Sequence, residues 1–223
     1  NCIEHFNGMF AFVIYDFSKQ LLFGARDRLG QKPFYYYHSG ADFEFASQIS
    51  AIKTGNNSLS ISNKAISNYM TWGYIPDPES IFLEVKKLPP GHFFIYDLHS
   101  GAFKEKKYWD IDYQGHEHFL GTFEDAQEKL EILLTDAVKK RMIADVPLGI
   151  FLSGGIDSSL VAALANKNNS SRVKTFSVKF NTKSVDESRY AQEVAHHLGT
   201  DHHTIECNYE EGLDIIKNFS HFY

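Results

Sequence analysis

The stretch VPLGIFLSGGIDSSLVAALA, Val146 to Ala165, decides the fold, because it reads as an apolar strand, a Gly-Ser loop and a helix in direct succession. Val146, Leu148, Ile150, Phe151 and Leu152 form a short apolar run of the kind carried by a strand covered on both faces. Ser158 to Ala165 has helical character. Between them SGGIDSS sets Gly154 and Gly155 where backbone can approach a ligand closely, and it aims unpaired N–H groups at whatever lies on the helix N-terminus. The fitting occupant is an anion. A Walker loop needs a Lys after its last Gly, whereas Ile156 and Asp157 follow Gly155 here. A dinucleotide fingerprint needs three glycines at set spacing, and a serine-hydrolase elbow needs Gly two residues before its nucleophile, where Phe151 precedes Ser153. What remains is three hydroxyls, Ser153, Ser158 and Ser159, with one carboxylate, Asp157, a set suited to pyrophosphate oxygens and a magnesium ion. An ordinary strand-to-helix turn would need one Ser and one Gly rather than all of these.

On the N-terminal side of this stretch Thr122 is a candidate N-cap, and Leu130, Leu133, Leu134, Ala137, Val138 and Met142 recur at helical spacing to give one apolar face. On the C-terminal side Val173 to Phe180 reads as a second strand, Glu187 to Leu198 as a helix and His203 to Cys207 as a third strand. Strands alternating with helices imply a parallel, doubly wound sheet whose ligand sits beyond the strand carboxyl ends, where the Gly-Ser loop falls. Residues 111–121 are polar and without apolar periodicity, and read as a linker. Before it, Met9 to Asp110 is dominated by short aromatic-rich strands. Phe10, Phe12 and Ile14 alternate with Ala11, Val13 and Tyr15, so both faces of that strand are apolar and it belongs inside a layered sandwich. Further strands are read at Leu21 to Ala25, Pro33 to Tyr37 and Phe43 to Ala46, with turns at Ser18 to Gln20 and at Ser39 and Gly40. Ser62 to Trp72 is helical, and His92 to Tyr96 forms a hairpin with Ala102 to Trp109 through Asp97 to Gly101.

At 223 residues, 43% hydrophobic and 15% aromatic, the chain suits two modest cores better than one. A net charge of −6 leaves no basic footprint for nucleic acid or an anionic membrane, and no apolar stretch reaches the length of a membrane span. Cys2 and Cys207 lack CxxC spacing, so neither a disulfide framework nor a zinc site is indicated, and a reducing, cytoplasmic setting follows. The adjacent pairs His196, His197 and His202, His203 point to different sides of their elements and cannot converge on one metal. Arg26, Asp27 and Arg28, beside Leu29 and Gly30, read as an ion-paired turn between strands.

The seven residues SGGIDSS closely resemble the PP-loop of the ATP pyrophosphatases, which cleave ATP to AMP and pyrophosphate while adenylating a carboxyl or carbonyl oxygen. GMFAFVIYD at Gly8 to Asp16, GARDRLGQKPFYYY at Gly24 to Tyr37 and FAS at Phe45 to Ser47 resemble the glutaminase domain of glutamine-hydrolysing asparagine synthetases. YIPDPESIF at Tyr74 to Phe82, LPPGHFFIYD at Leu88 to Asp97 and VDESRYAQEVAHHLGTDHH at Val185 to His203 resemble the same family, so the resemblance covers essentially the whole chain.

That resemblance implies a mixed fold of α/β and α+β type in two domains. Residues 1–110 would be the C-terminal part of a glutaminase domain, a β-rich sandwich of N-terminal-nucleophile type. Residues 111–121 would be the linker, and 122–223 the N-terminal part of a doubly wound PP-loop synthetase domain. It further implies ATP-dependent amidation of aspartate by glutamine-derived ammonia through a β-aspartyl-AMP intermediate. The substrates would be glutamine, aspartate and ATP, the cofactor Mg2+ with Asp157 as metal ligand, and a homodimer stays open as the assembly. ATP and pyrophosphate would be held by Ser153, Gly154, Gly155, Asp157, Ser158 and Ser159, with Leu152 and Val178 touching the adenine nucleotide through backbone. A purely apolar core role would call for the same two side chains.

The family's glutaminase nucleophile is a Cys at the mature N-terminus, activated by its own amine. Cys2 does not match it, standing six residues before Gly8 in the approach to an interior strand. The resemblance therefore places the nucleophile and the glutamine-holding motifs before Asn1 and an acidic motif after Tyr223, and reads the chain as a piece inactive by itself. Met9 is placed near the route of ammonia, where a core methionine reads as well. Gln48 stands where the family commonly has Glu, which keeps the hydrogen bonding and loses the charge. Relatives of this architecture amidate other carboxylates or sugars, so the acceptor stays open, as does a nucleotide-binding module without turnover.

Overall fold

The computed structural model describes residues 2–40, 42–53, 58–113, 119–169, 171–182, 185–207 and 209–219. Its backbone contacts gather into two compact units, over residues 1–116 and 117–222. Residues 114–118 of the linker read from sequence lie outside the described residues.

The first unit contains α1 (Cys2–His5), β1 (Ala11–Asp16), β2 (Leu21–Arg26), β3 (Tyr35–Ser39), β4 (Asp42–Ala46), α2 (Ile49–Lys53), α3 (Asn63–Trp72), β5 (Val85–Lys87), β6 (His92–Asp97) and β7 (Phe103–Lys107). Two antiparallel sheets form, in the orders β1-β2-β6-β7 and β4-β3-β5. They share one core of Phe34, Leu88, Phe94 and Tyr96, packed by Val13 and Leu22 from one sheet and Tyr36 and Phe43 from the other. Phe43 stacks on Tyr96 at 4.6 Å between ring centroids, and the fully buried Phe94 alone contributes about 1.5–3 kcal/mol of burial. Gly24 makes room for that ring, since a Cβ there would lie 2.1 Å from Phe94 Cε1.

Local chemistry set the turns and caps where the sequence shows them. Asp16 Oδ1 accepts from the N–H groups of Ser18 and Lys19, both at 3.1 Å, and turns the chain into β2. Ser62 caps α3 by accepting from the Ala65 N–H at 3.2 Å. The strand read as apolar on both faces is buried less than expected. Ala11 and Val13 reach the core, while Ile14 and Tyr15 stay about half exposed. The opposite row instead joins a ladder of rings, with Phe12 at 6.1 Å from Phe23 and Phe23 at 5.6 Å from Phe93. Strand β5 was not legible, because only the buried Val85 stands out from its two lysines.

The Arg26-Asp27-Arg28 turn is ion-paired as read, but through Arg26 and a distant carboxylate rather than among its own three charges. Asp27, 2% exposed, accepts from the N–H groups of Phe10, Leu29, Gln31 and Lys32 at 2.9–3.3 Å. Arg26 pairs with Asp77 at 2.8 Å and donates to the carbonyls of Gly30, Lys32 and Leu88. Arg28 donates to the carbonyls of Glu4 and Phe6, next to α1. Four converging N–H groups satisfy the Asp27 carboxylate, so it serves the chain rather than its charged neighbours.

The second unit contains α4 (Phe123–Arg141), β8 (Gly149–Phe151), α5 (Ile156–Lys167), β9 (Lys174–Phe180), α6 (Ser188–Leu198), β10 (Asp201–Cys207) and α7 (Tyr209–Lys217). Thr122 opens α4 with a reciprocal box: its hydroxyl accepts from the Asp125 N–H at 3.2 Å and its own N–H donates to Asp125 at 2.8 Å. The strands are parallel in the order β10-β9-β8. Leu152, Ala162, Ala191 and Ala195 form the core, so α5 and α6 lie on the same face.

Two expectations change here. Among the described residues the strand order β8-β9-β10 shows no reversal, and successive right-handed crossovers stack α5 and α6 on one side. The strand before the loop is therefore not covered twice: Leu152 is 1% exposed and Phe151 is 78% exposed. The apolar face of α4 is also incompletely packed. Leu130 and Leu133 are exposed, and Leu134, Ala137, Val138 and Met142 line a cavity of about 580 Å³ with Val146, Leu148 and Val161. Beneath α6 the sheet carries polar side chains, with Thr175 Oγ1 2.9 Å from His202 Nδ1 and Ser177 Oγ 3.2 Å from His202 Nε2.

Candidate functional site

Strand β8 delivers Leu152 beside β9, where its N–H donates to the Phe176 carbonyl at 2.7 Å. The chain then turns through Ser153 and Gly154 and enters α5 at Gly155. The first helical backbone bond runs from the Ser159 N–H to the Gly155 carbonyl at 3.1 Å. The N–H groups of Ile156, Asp157 and Ser158 precede it, so the helix lends them no acceptor and its dipole adds positive character there. Hydroxyls shape the turn. Ser153 Oγ lies 3.0 Å from Ser158 Oγ and accepts from the Gly155 N–H at 3.3 Å, while the Ser158 hydroxyl donates to the Gly155 carbonyl at 3.2 Å.

Gly154 differs in role from the sequence reading. Its φ is +83°, and a Cβ there would lie 2.5 Å from Tyr190 Cβ and 2.7 Å from the Ala191 nitrogen. The close approach is therefore to α6. Gly155 meets nothing nearer than Ser153 Oγ at 3.4 Å and serves as the N-cap of α5.

Four of the residues singled out from sequence, Leu152, Ser153, Ser158 and Val178, line one cavity of about 350 Å³ at the carboxyl ends of β8 and β9. Asp157 is exposed in the first turn of α5, outside that lining. Ser159 is not brought in either, since its Oγ is buried without a hydrogen-bond partner. Sequence reasoning did not assign to the site Phe176, Phe180, Glu187 and Ser188, which line the cavity together with Phe151, Ser177 and Val185. The signal was present for two of them: Phe176 and Phe180 flank Val178 at the two-residue period of a strand face. The wider cavity under α4 lies at the other ends of the strands and holds none of the loop hydroxyls, so the smaller one is the candidate site.

Asp186 closes the connection between β9 and α6. Its Oδ1 accepts from the Phe180 N–H at 3.3 Å and the Ser188 N–H at 3.2 Å. The Ser188 hydroxyl, these N–H groups and Lys179 hold its carboxyl below the usual range against a smaller opposing effect of burial. Burial, then the charge of His203, lowers the His202 pKa. His202 and His203 lie on opposite faces, the second stacked on Phe176 at 5.3 Å. Among the described residues no three His, Cys, Asp or Glu side chains gather as a metal site. In the first unit Cys2 is exposed in α1. Met9 is 55% exposed beside Phe10, Lys32 and Ser47, which corrects its reading as a core residue.

Comparison with known proteins is consistent along the chain. Residues 1–109 match the family described as Glutamine amidotransferase domain, and residues 129–223 match Asparagine synthase. A Methanocaldococcus jannaschii protein, provisionally named asparagine synthetase (glutamine-hydrolyzing) 2, is 38% identical over all of this chain and 43% of its own length. Asparagine synthetase (glutamine-hydrolyzing) 1 of Bacillus subtilis is 35% identical over 96% of this chain and 33% of its own. Amidase chyE of Penicillium rubens is 34% identical over 95% of this chain and 33% of its own. The chain thus spans less than half the length of these relatives.

Proposed function

Since this chain belongs to the glutamine-hydrolysing asparagine synthetase family, we propose that it forms part of an ATP-dependent carbon–nitrogen ligase that amidates aspartate with ammonia drawn from glutamine. Residues 1–110 act as part of the glutaminase, 111–121 as linker and 122–223 as part of the PP-loop synthetase. The observation that carries this reading is the meeting of Leu152, Ser153, Ser158 and Val178 around one cavity at the N-terminus of α5.

In that cavity the nucleotide lies with its base along Leu152 and Val178 and its phosphates toward Ser153 and Ser158. The aspartate side-chain carboxylate attacks the α-phosphorus, forming β-aspartyl-AMP as the bond to pyrophosphate breaks. Ammonia then adds to the activated carbonyl, AMP leaves, and a proton is lost to give the amide. The loop contributes by stabilising charge on the departing pyrophosphate through prealigned N–H groups and hydroxyls. Magnesium fits the donors present, because it binds through one or two carboxylates together with substrate phosphates, and Asp157 is exposed beside the loop to supply one. It would neutralise phosphate charge. Ser159 acts on phosphate only if its hydroxyl turns out of its buried position.

The 34% identity to Amidase chyE, close to that to the Bacillus protein, favours one second reading in which another carboxylate is the acceptor. Acceptor-dependent pyrophosphate release from the protein encoded by the complete reading frame, with ATP, magnesium, ammonia and a panel of carboxylates, tests both. Release with aspartate and formation of asparagine supports the first reading. Release with another acceptor alone supports the second, and ATP binding without release would leave a nucleotide-binding module.

A further inference from the structure

The connection from β9 to α6 runs over residues 181–187, and its two ends form parts of the nucleotide cavity. Val178 and Phe180 come from the end of β9, and Val185, Glu187 and Ser188 from the approach to α6 and its first residue. Asp186 Oδ1 joins these two sets, accepting from the N–H of Phe180 and from the N–H of Ser188. Two residues beyond Ser188, Tyr190 begins the contact of α6 with Gly154, where no space for a Cβ remains. The start of α6 therefore touches the phosphate loop and borders the cavity at once.

We propose that Asp186 is a positioning residue for the nucleotide, fixing the end of β9 against the start of α6 and thereby the distance of both from the phosphate loop. This rests on the cavity being the ATP site. Without the carboxylate the two N–H groups lose their shared acceptor, and Phe180 and Ser188 are free to separate. A charged acceptor also suits its place at the N-terminus of α6, and the depressed carboxyl pKa agrees with the hydrogen bonds it receives. The role acts on nucleotide affinity and leaves the chemical step intact, since the geometry places Asp186 at the backbone behind the cavity.

Three variants of the protein from the complete reading frame separate this role from helix capping alone. Asp186→Ala removes both bonds, Asp186→Asn keeps an acceptor oxygen at the same reach, and Asp186→Ser can still cap Ser188 but is too short for Phe180. The readouts are the ATP dissociation constant by calorimetry, the KM for ATP and for the acceptor, kcat, and the thermal midpoint. Asp186→Ala and Asp186→Ser should each raise the ATP Kd and KM roughly tenfold, as expected for losing a charge-assisted hydrogen bond, at nearly unchanged kcat and acceptor KM. Asp186→Asn should recover most of the loss, and Asp186→Ser should keep a near wild-type midpoint. Wild-type ATP affinity in Asp186→Ser, or a loss confined to kcat, would overturn the proposal. Failure of the wild-type protein to bind ATP would overturn the ATP reading itself, which the wild-type titration alone reveals.

Discussion

The two loop glycines should respond very unequally to the same added methyl group. Gly154 has φ +83°, where an L-residue costs roughly 1–2 kcal/mol, and its Cβ would sit 2.5–2.7 Å from Tyr190 Cβ, the Tyr190 carbonyl carbon and the Ala191 nitrogen. Two of those three atoms are backbone, so relief requires shifting α6, an overpacking cost of about 1–3 kcal/mol. Gly154→Ala should therefore lose about 2–5 kcal/mol. At about 4–8 °C per kcal/mol for a unit of this size, the thermal midpoint of the second unit falls by roughly 10 °C or more. Gly155 has φ −71° and an open Cβ direction, so Gly155→Ala should cost only about 0.5–1 kcal/mol through a poorer N-cap. Differential scanning calorimetry of both variants checks the difference. Equal midpoints would refute the claim that contact with α6, rather than approach of a ligand, fixes glycine at position 154.

Asp157→Ala should abolish AMP formation in the full-length protein while glutamine hydrolysis and the thermal midpoint stay near wild type, because the side chain is exposed; unchanged AMP production removes it from the site. Arg26→Ala should destabilise the first unit by about 3–5 kcal/mol in denaturant titrations, and Arg26→Lys should not rescue it, since a lysine cannot reach Asp77 and three carbonyls together; full rescue contradicts the fork geometry. His202 has its pKa lowered in the folded chain, so folding favours the neutral ring, and that stability is present above the unfolded value near 6.5 and is lost as pH falls below it. Stability of the second unit should thus drop between pH 7.5 and 5, and less so in His202→Gln; parallel profiles of the two proteins would rule His202 out as the cause.

Much of this chain's local structure could be read residue by residue. Ser62, Thr122 and Asp16 each bond to backbone two or three residues away, so their caps and turns depend on neighbours the sequence displays directly. The turn and helix start at SGGIDSS follow for the same reason, through loop hydroxyls whose partners lie within five residues. Leu152 and Val178 became site residues only through resemblance, and their meeting depends on β8 pairing with β9.

Tertiary structure decided whatever depends on distant partners. Arg26 has Asp27 as its oppositely charged neighbour in sequence, yet its carboxylate comes from Asp77, 51 residues away. Gly154 could serve a ligand or a helix, and the position of α6 chose the helix. The strand run from Val146 to Leu152 is apolar throughout, but strand order left Phe151 exposed and Leu152 buried. Hydrogen bonds that close within a turn are written in adjacent residues, whereas the face a side chain buries depends on which strands and helices arrive beside it, a choice made by the whole chain at once.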